Sequence, residues 1–287
     1  MKKAYGYLYK KTLHVGFLRL VDDIIGVTKA GVNVQMMNSF INVKTAEKYL
    51  QFGTKKCKLM LIGKDTENVV NKELMVDHCS IDYVKNSDTG EDEIVENYIG
   101  QVSIGKTNEH KYLGFVISDK GDNMANISQL RKKSIGVVRK IINRLNSLHL
   151  LNYFFESSII LMNSMLRGTI LYASDTYYNL KENEIRQIER IEEGYMRKVL
   201  KTSKGCPIVQ IYLEMGQIPA RFEVQKMRCL YLKYILHEDD ESLLKKVFNL
   251  QLKEKTRGEW AFTVLEDLKD LKITESLEEI KKMSYEK

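Results

Sequence analysis

The alternation of apolar and polar positions divides the chain into a strand-rich front and a helical remainder. Val15 to Leu20 and Ile24 to Val27 are short, apolar and rich in β-branched residues. They predict two strands joined through Asp22 and Asp23. After Gly31 the spacing turns helical from Asn33 to Leu50, with Val34, Met37, Phe40, Ile41 and Leu50 near one face. Gly53 ends that helix. "KKCKLMLIG" (Lys55 to Gly63) has a basic start and a nearly continuous apolar body, which predicts a strand buried on both faces. Lys64 to Tyr98 is irregular and acidic, with turn signals at Asn86, Ser87 and Asp88–Gly90 and a short hairpin expected near "ELMVDHCSIDYV". "GQVSIG" and "KYLGFVIS" predict a further strand pair, and "DKGDN" (Asp119 to Asn123) a turn.

Beyond Asn123 every long pattern is helical. Met124 to Leu148 places Ile127, Leu130, Val138, Ile141, Ile142, Leu145 and Leu148 at largely helical spacing, with Arg131, Lys132, Lys133, Arg139, Lys140 and Arg144 on its other faces. Residues 152–171 predict a more buried helix. Asn183 to Lys201 is amphipathic through Ile185, Ile188, Met196 and Val199. Two helices flank "GQIP" (Gly216 to Pro219), where a glycine stop precedes a proline start. Residues 241–286 are charged and helical, with Trp260 as the large anchor. Strands first and helices after define an α+β chain: a β-rich portion over 1–120 with an acidic insertion at 64–101, a helical region over 121–205 and a helical extension over 206–287.

Composition sharpens this picture in two places. With 287 residues, 44% hydrophobic and 29% charged, the chain can build real cores and is not of a disordered type. Cys57, Cys79, Cys206 and Cys229 form no CxxC pair and no zinc-type cluster, so reduced, unligated thiols in an intracellular protein are expected. "MKKAYGYLYKK" lacks the apolar core of a signal peptide. The charge-free run Ser157 to Leu166 is about half of what spans a bilayer; secretion and membrane insertion are not expected.

Charge is distributed in blocks. Residues 1–60 carry 11 basic and 3 acidic side chains, 61–110 carry 4 and 11, and 111–170 carry 9 and 3. Two basic blocks around an acidic one fit a surface insertion between two nucleic-acid-facing segments, or a solvated acidic loop region between two domains.

Asp22 and Asp23 are the candidate chemistry. Paired carboxylates on a turn are often no more than solvated turn residues. On a tight turn between buried strands they also make rigid oxygen ligands for Mg²⁺, a hard cation that shares its shell with substrate phosphates. The surroundings are basic: residues 1–21 hold five basic side chains and no acidic one.

The order of segments resembles the C-terminal half of a reverse transcriptase of the non-LTR (LINE-type) retrotransposons. "LVDD" (Leu20 to Asp23) resembles motif C, Asn38 to Lys64 resembles motif D, and "KYLGFVIS" (Lys111 to Ser118) resembles motif E, the primer grip. The resemblance is strong over residues 13–118 and diffuse afterwards, where the helices are similar to a thumb and the segment beyond it. It implies a partial palm with a short antiparallel sheet followed by a larger all-α thumb and C-terminal helical region. It also implies Asp22 and Asp23 as catalytic metal ligands for Mg²⁺ (or Mn²⁺), and Lys56, or less directly Lys58, at the phosphates of an incoming dNTP. Tyr112, Leu113 and Gly114 would touch the primer. Arg131, Lys132, Lys133, Arg139 and Lys140 are assigned to an RNA template and DNA primer on charge and helix position alone, against a solvated helix face.

Departures from the family pattern limit what is implied. Leu20 replaces the usual aromatic, no Asp or Glu precedes Asp22 to supply the motif A ligand, and the glycine-containing motif B is absent. The implied object is a fragment starting just before motif C, inactive alone and residing in the nucleus or cytoplasm as a ribonucleoprotein. A non-catalytic basic nucleic-acid-binding module is the alternative, and an unrelated helical scaffold is the third.

Overall fold

The computed structural model describes residues 7–9, 13–15, 17–20, 23–28, 57–62, 74–85, 92–147 and 155–283. The chain divides into two compact units, 1–122 and 123–287. The first is built from strands and the second from helices, so the class is α+β.

In the first unit four antiparallel hairpins are seen among the described residues. β1 (Tyr7–Tyr9) pairs with β2 (Leu13–Val15), and β3 (Phe17–Leu20) with β4 (Asp23–Gly26). The apolar run read as one strand from Val15 to Leu20 thus divides between two hairpins. β5 (Leu74–Lys85) and β6 (Asp92–Ile104) form a long ribbon with a bulge at His78/Cys79. This corrects the expectation of an irregular insertion with only a short hairpin. A backbone ladder tolerates the charged side chains that blur the apolar alternation of these two strands.

β7 (Glu109–Tyr112) and β8 (Phe115–Ser118) form a hairpin within "KYLGFVIS", which was expected to be a single strand. Its two-residue turn is Leu113–Gly114, with φ of 49° and 87°. Positive φ at both central residues is the turn geometry that matches strand twist. Asp119–Asn123 turns as expected, closed by the Gly121 N–H donating to the Ser118 carbonyl at 3.1 Å. The Lys55–Gly63 strand is also corrected. Its described part, 57–62, makes one parallel bridge, Leu59 with Lys106, and Ile62 is 64% exposed rather than buried. The helix expected over Asn33–Leu50 lies outside the described residues.

The second unit begins with α1 (Met124–Ser147), a helix where the sequence predicts one. Its buried positions Ile127, Leu130, Ser134, Val138, Ile141 and Leu145 step by three or four and make one stripe. This stripe faces a core shared with α4 (Glu182–Leu200), which contributes Ile188, Tyr195, Met196 and Val199. Between them run α2 (Phe155–Leu161), a π-helical segment (Met162–Arg167) and the short α3 (Gly168–Ile170). The single helix expected over 152–171 is corrected here. Ser158, Met162, Leu166 and Ile170 are buried at steps of four. On a helix of 3.6 residues per turn such steps drift about 40° each, and the wider π turns hold the stripe in the core.

α5 (Ile208–Glu214) and α6 (Ala220–His237) flank the Gly216–Pro219 turn, as the sequence predicts. The C-terminal half of α6 packs with α7 (Leu243–Glu254), α8 (Trp260–Asp270) and α9 (Leu277–Lys282) around Leu232, Phe248, Val264 and Ile280. Trp260 anchors this cluster edge-on against Tyr231 and Phe248, and its indole N–H donates to the Asp175 carbonyl at 2.7 Å. Lys245 donates to the carbonyls of Ile235 and Leu236, satisfying the C-terminal end of α6. No described helix is long and apolar enough to cross a membrane.

Candidate nucleic-acid interface

Asp23 opens β4 at the end of a hairpin and pairs with Leu20. Asp22 itself, like Lys56, lies outside the described residues. Two carboxylates suit a hard cation as far as they go. Among the described residues, no group of three metal-binding side chains forms.

Lys58 is exposed beside the Leu59–Lys106 bridge. The Leu59 N–H donates to the Gly105 carbonyl at 3.1 Å and the Thr107 N–H to the Leu59 carbonyl at 2.9 Å. This fixes the segment next to the start of the β7–β8 hairpin. Tyr112, Leu113 and Gly114 come together at the opposite, tip end of that hairpin, with Leu113 exposed.

The helical unit sorts its cations sharply. Its inward-facing arginines are consumed by carboxylates, while Lys245 is held by backbone carbonyls. Arg167, carried on the π segment, donates from Nε to Glu192 Oε1 at 2.8 Å, from Nη1 to Glu223 at 3.2 Å and from Nη2 to the Ile218 carbonyl at 2.6 Å. Tyr212 adds a hydrogen bond to Glu192 Oε2 at 3.3 Å. Burial pushes the Glu192 carboxyl above the ordinary range even against Arg167. Glu189, three residues earlier, goes the other way. Burial pushes it up, but the guanidinium groups of Arg221 and Arg186 outweigh that and hold it below the usual carboxylate range. Arg228 forks onto Asp267 at 2.5 and 2.7 Å, tying α6 to α8. These are structural pairs that the sequence reading missed. Apart from Arg186–Glu189, which are three residues apart on one helix, their partners are separated by 25 to 56 residues, a distance at which no periodicity signals them.

α1 is the opposite case. Arg131, Lys132, Lys133, Arg139, Lys140 and Arg144 are all exposed, and none makes an ion pair or side-chain hydrogen bond among the described residues. The helix holds no Asp or Glu at all. Residues 123–287 carry 28 basic and 22 acidic side chains; α1 holds six of those cations, leaving 22 against 22 elsewhere. The net positive charge of this unit is therefore that of one helix. The predicted basic residues are the ones the structure presents, and Arg144 joins them. Lys133, Lys140 and Arg144 line one flank of the exposed face, and Lys132 and Arg139 the other.

Cys57, Cys206 and Cys229 form no disulfide. Burial, with Asp267 nearby, pushes the Cys229 thiol up to about 11, which leaves it unreactive at neutral pH. An apolar groove of about 450 Å³ is lined by Val209, Leu213, Ile218 and Phe222, with the Arg186–Glu189–Arg221 network as its polar wall. Comparison with known protein families, curated proteins and solved structures finds no match.

Proposed function

We propose that this chain is a reverse-transcriptase-derived nucleic-acid-binding protein. It carries the motif C, D and E part of a non-LTR-type palm, a thumb-like helical region and a helical extension. Its role is to hold an RNA template with its DNA primer through α1, inside the cell as a ribonucleoprotein. The observation that carries this reading is the charge of α1: six exposed cations, no acid, and no internal partner among the described residues. Six exposed cations on one helix with no acid among them form a basic stripe suited to a polyanionic partner. Two hairpins support the family assignment, with Leu20 and Asp23 of "LVDD" paired in one and "YLG" at the tip of the other.

Residues 1–287 hold two of the carboxylates that polymerisation needs, and no step through Mg²⁺ is assigned to them. The chain alone is expected to bind primer–template without extending it. Binding of an RNA–DNA hybrid, followed by anisotropy across a salt series, tests the first half. If α1 engages four to six phosphates, log Kd should rise with log salt with a slope of about 4–5; binding indifferent to salt would sink the proposal. Mg²⁺-dependent primer extension that disappears in Asp22→Ala would overturn the second half.

A further inference from the structure

Gly136 lies midway along α1 and is exposed. Glycine weakens a helix interior relative to alanine, so its presence there calls for a reason. None is found within the described fold. Its backbone is ordinary right-handed helix, and a Cβ placed on it meets nothing within 4 Å. The missing side chain makes room for nothing that the described protein itself contains.

The surroundings of Gly136 supply the reason. On a helix the residues that border a position lie three and four places away on either side. For Gly136 these are Lys132, Lys133, Arg139 and Lys140. All four are cations, all four are exposed, and none is paired among the described residues. Lys132 and Arg139 stand on one flank and Lys133 and Lys140 on the other, with the glycine halfway between the flanks. Within each flank the two cations are seven residues apart, about 10 Å along the axis. The result is a strip of bare backbone with a long cationic arm at each corner.

This arrangement selects its ligand. A single compact anion would satisfy one flank and leave the other unmet. Two successive charges on a narrow, flexible thread satisfy both, and a phosphodiester backbone supplies them. Building on the nucleic-acid reading above, we infer that a sugar–phosphate strand crosses α1 at Gly136. It touches the helix backbone there, with one phosphate between Lys132 and Arg139 and a neighbouring phosphate between Lys133 and Lys140. Gly136 is the point of closest approach, and a side chain at that position would lift the strand away from all four cations at once.

The test uses the full chain and a labelled RNA–DNA hybrid of about 20 base pairs, long enough to cover the helix, with single-stranded RNA and phosphatidylserine vesicles as parallel arms. Gly136→Leu and Gly136→Ala leave every charge in place and suit an exposed helix position, so both should melt at or above the wild-type temperature. Gly136→Leu should nevertheless weaken hybrid binding roughly tenfold, Gly136→Ala less, while Lys133→Ala should lower the salt slope by about one. Gly168→Ala, at an exposed helical glycine without flanking cations, should bind as wild type. Salt-dependent binding by wild type that Gly136→Leu leaves unchanged would overturn the crossing point alone. No binding by wild type at low salt would overturn the functional reading together with it. Gly136-dependent binding to vesicles but not to either nucleic acid would replace the strand with a membrane.

Discussion

At the tip of the β7–β8 hairpin, Leu113 holds a φ of 49°, a region that asparagine and glycine occupy far more readily. A branched apolar side chain there costs about 1 kcal/mol. Leu113→Asn, which creates the preferred Asn-Gly turn, should stabilise the hairpin by about that amount, as measured by chemical denaturation. If the tip grips primer, the same substitution should weaken primer–template binding while leaving binding of α1-directed duplex intact. Glu189 offers a second test at this scale. Its folded pKa is lowered, so its contribution is complete above its unfolded value of 4.5 and is lost as pH falls through the lower folded one. Glu189→Gln should therefore cost about 1–2 kcal/mol at neutral pH, toward the modest end because Arg186 and Arg221 are partly exposed. That cost should shrink as the pH is taken below 4.5.

Between elements, the joint that matters is Arg167. It connects the π segment to α4, α6 and the turn before α6. Arg167→Met leaves Glu192 buried without its cation and should cost about 3–5 kcal/mol. Arg167→Met with Glu192→Met should recover most of that, since it removes the stranded charge as well. Urea denaturation of the two variants checks both statements. The contrast with α1 shows what a sequence can and cannot display. α1 was legible almost to the residue, because its buried stripe and its exposed charges are both local patterns. The Arg167–Glu192 pair was not, because a buried cation on a helix looks like any surface cation until its partner arrives from another element. The β5–β6 ribbon was obscured by acidic residues, and "KYLGFVIS" by a turn whose first residue is leucine. Lys55–Gly63 is apolar enough for a buried strand, yet apolar composition alone does not supply a neighbouring strand to pair with.

At the scale of the whole molecule, the net charge of +7 understates the organisation beneath it. Residues 1–122 hold 17 basic and 16 acidic side chains and are close to neutral. The helical unit is neutral too once α1 is set aside. Within the helical unit a polyanion meets one strongly positive helix against an otherwise balanced background, which favours a defined docking orientation on that unit over diffuse adhesion. The candidate carboxylates belong to the other unit. The cationic face of α1 was therefore legible from sequence through local charge, whereas a metal-binding role for the aspartate pair rests on resemblance alone.

The π segment carries a consequence of a different kind. Arg167 reaches Glu192 because Met162 to Arg167 are wound more widely than an α-helix. Winding the same residues as an ordinary α-helix would rotate Arg167 by about 100°. The carboxylate would then be left facing an empty corner of the core. Substitutions at the exposed positions Asn163 and Ser164 change only what the surface displays. A deletion at either would remove the extra residue that the wider winding accommodates, so the segment could return to an α-helix with Arg167 kept on its face. In this part of the chain the number of residues, more than their identity, is what the fold specifies.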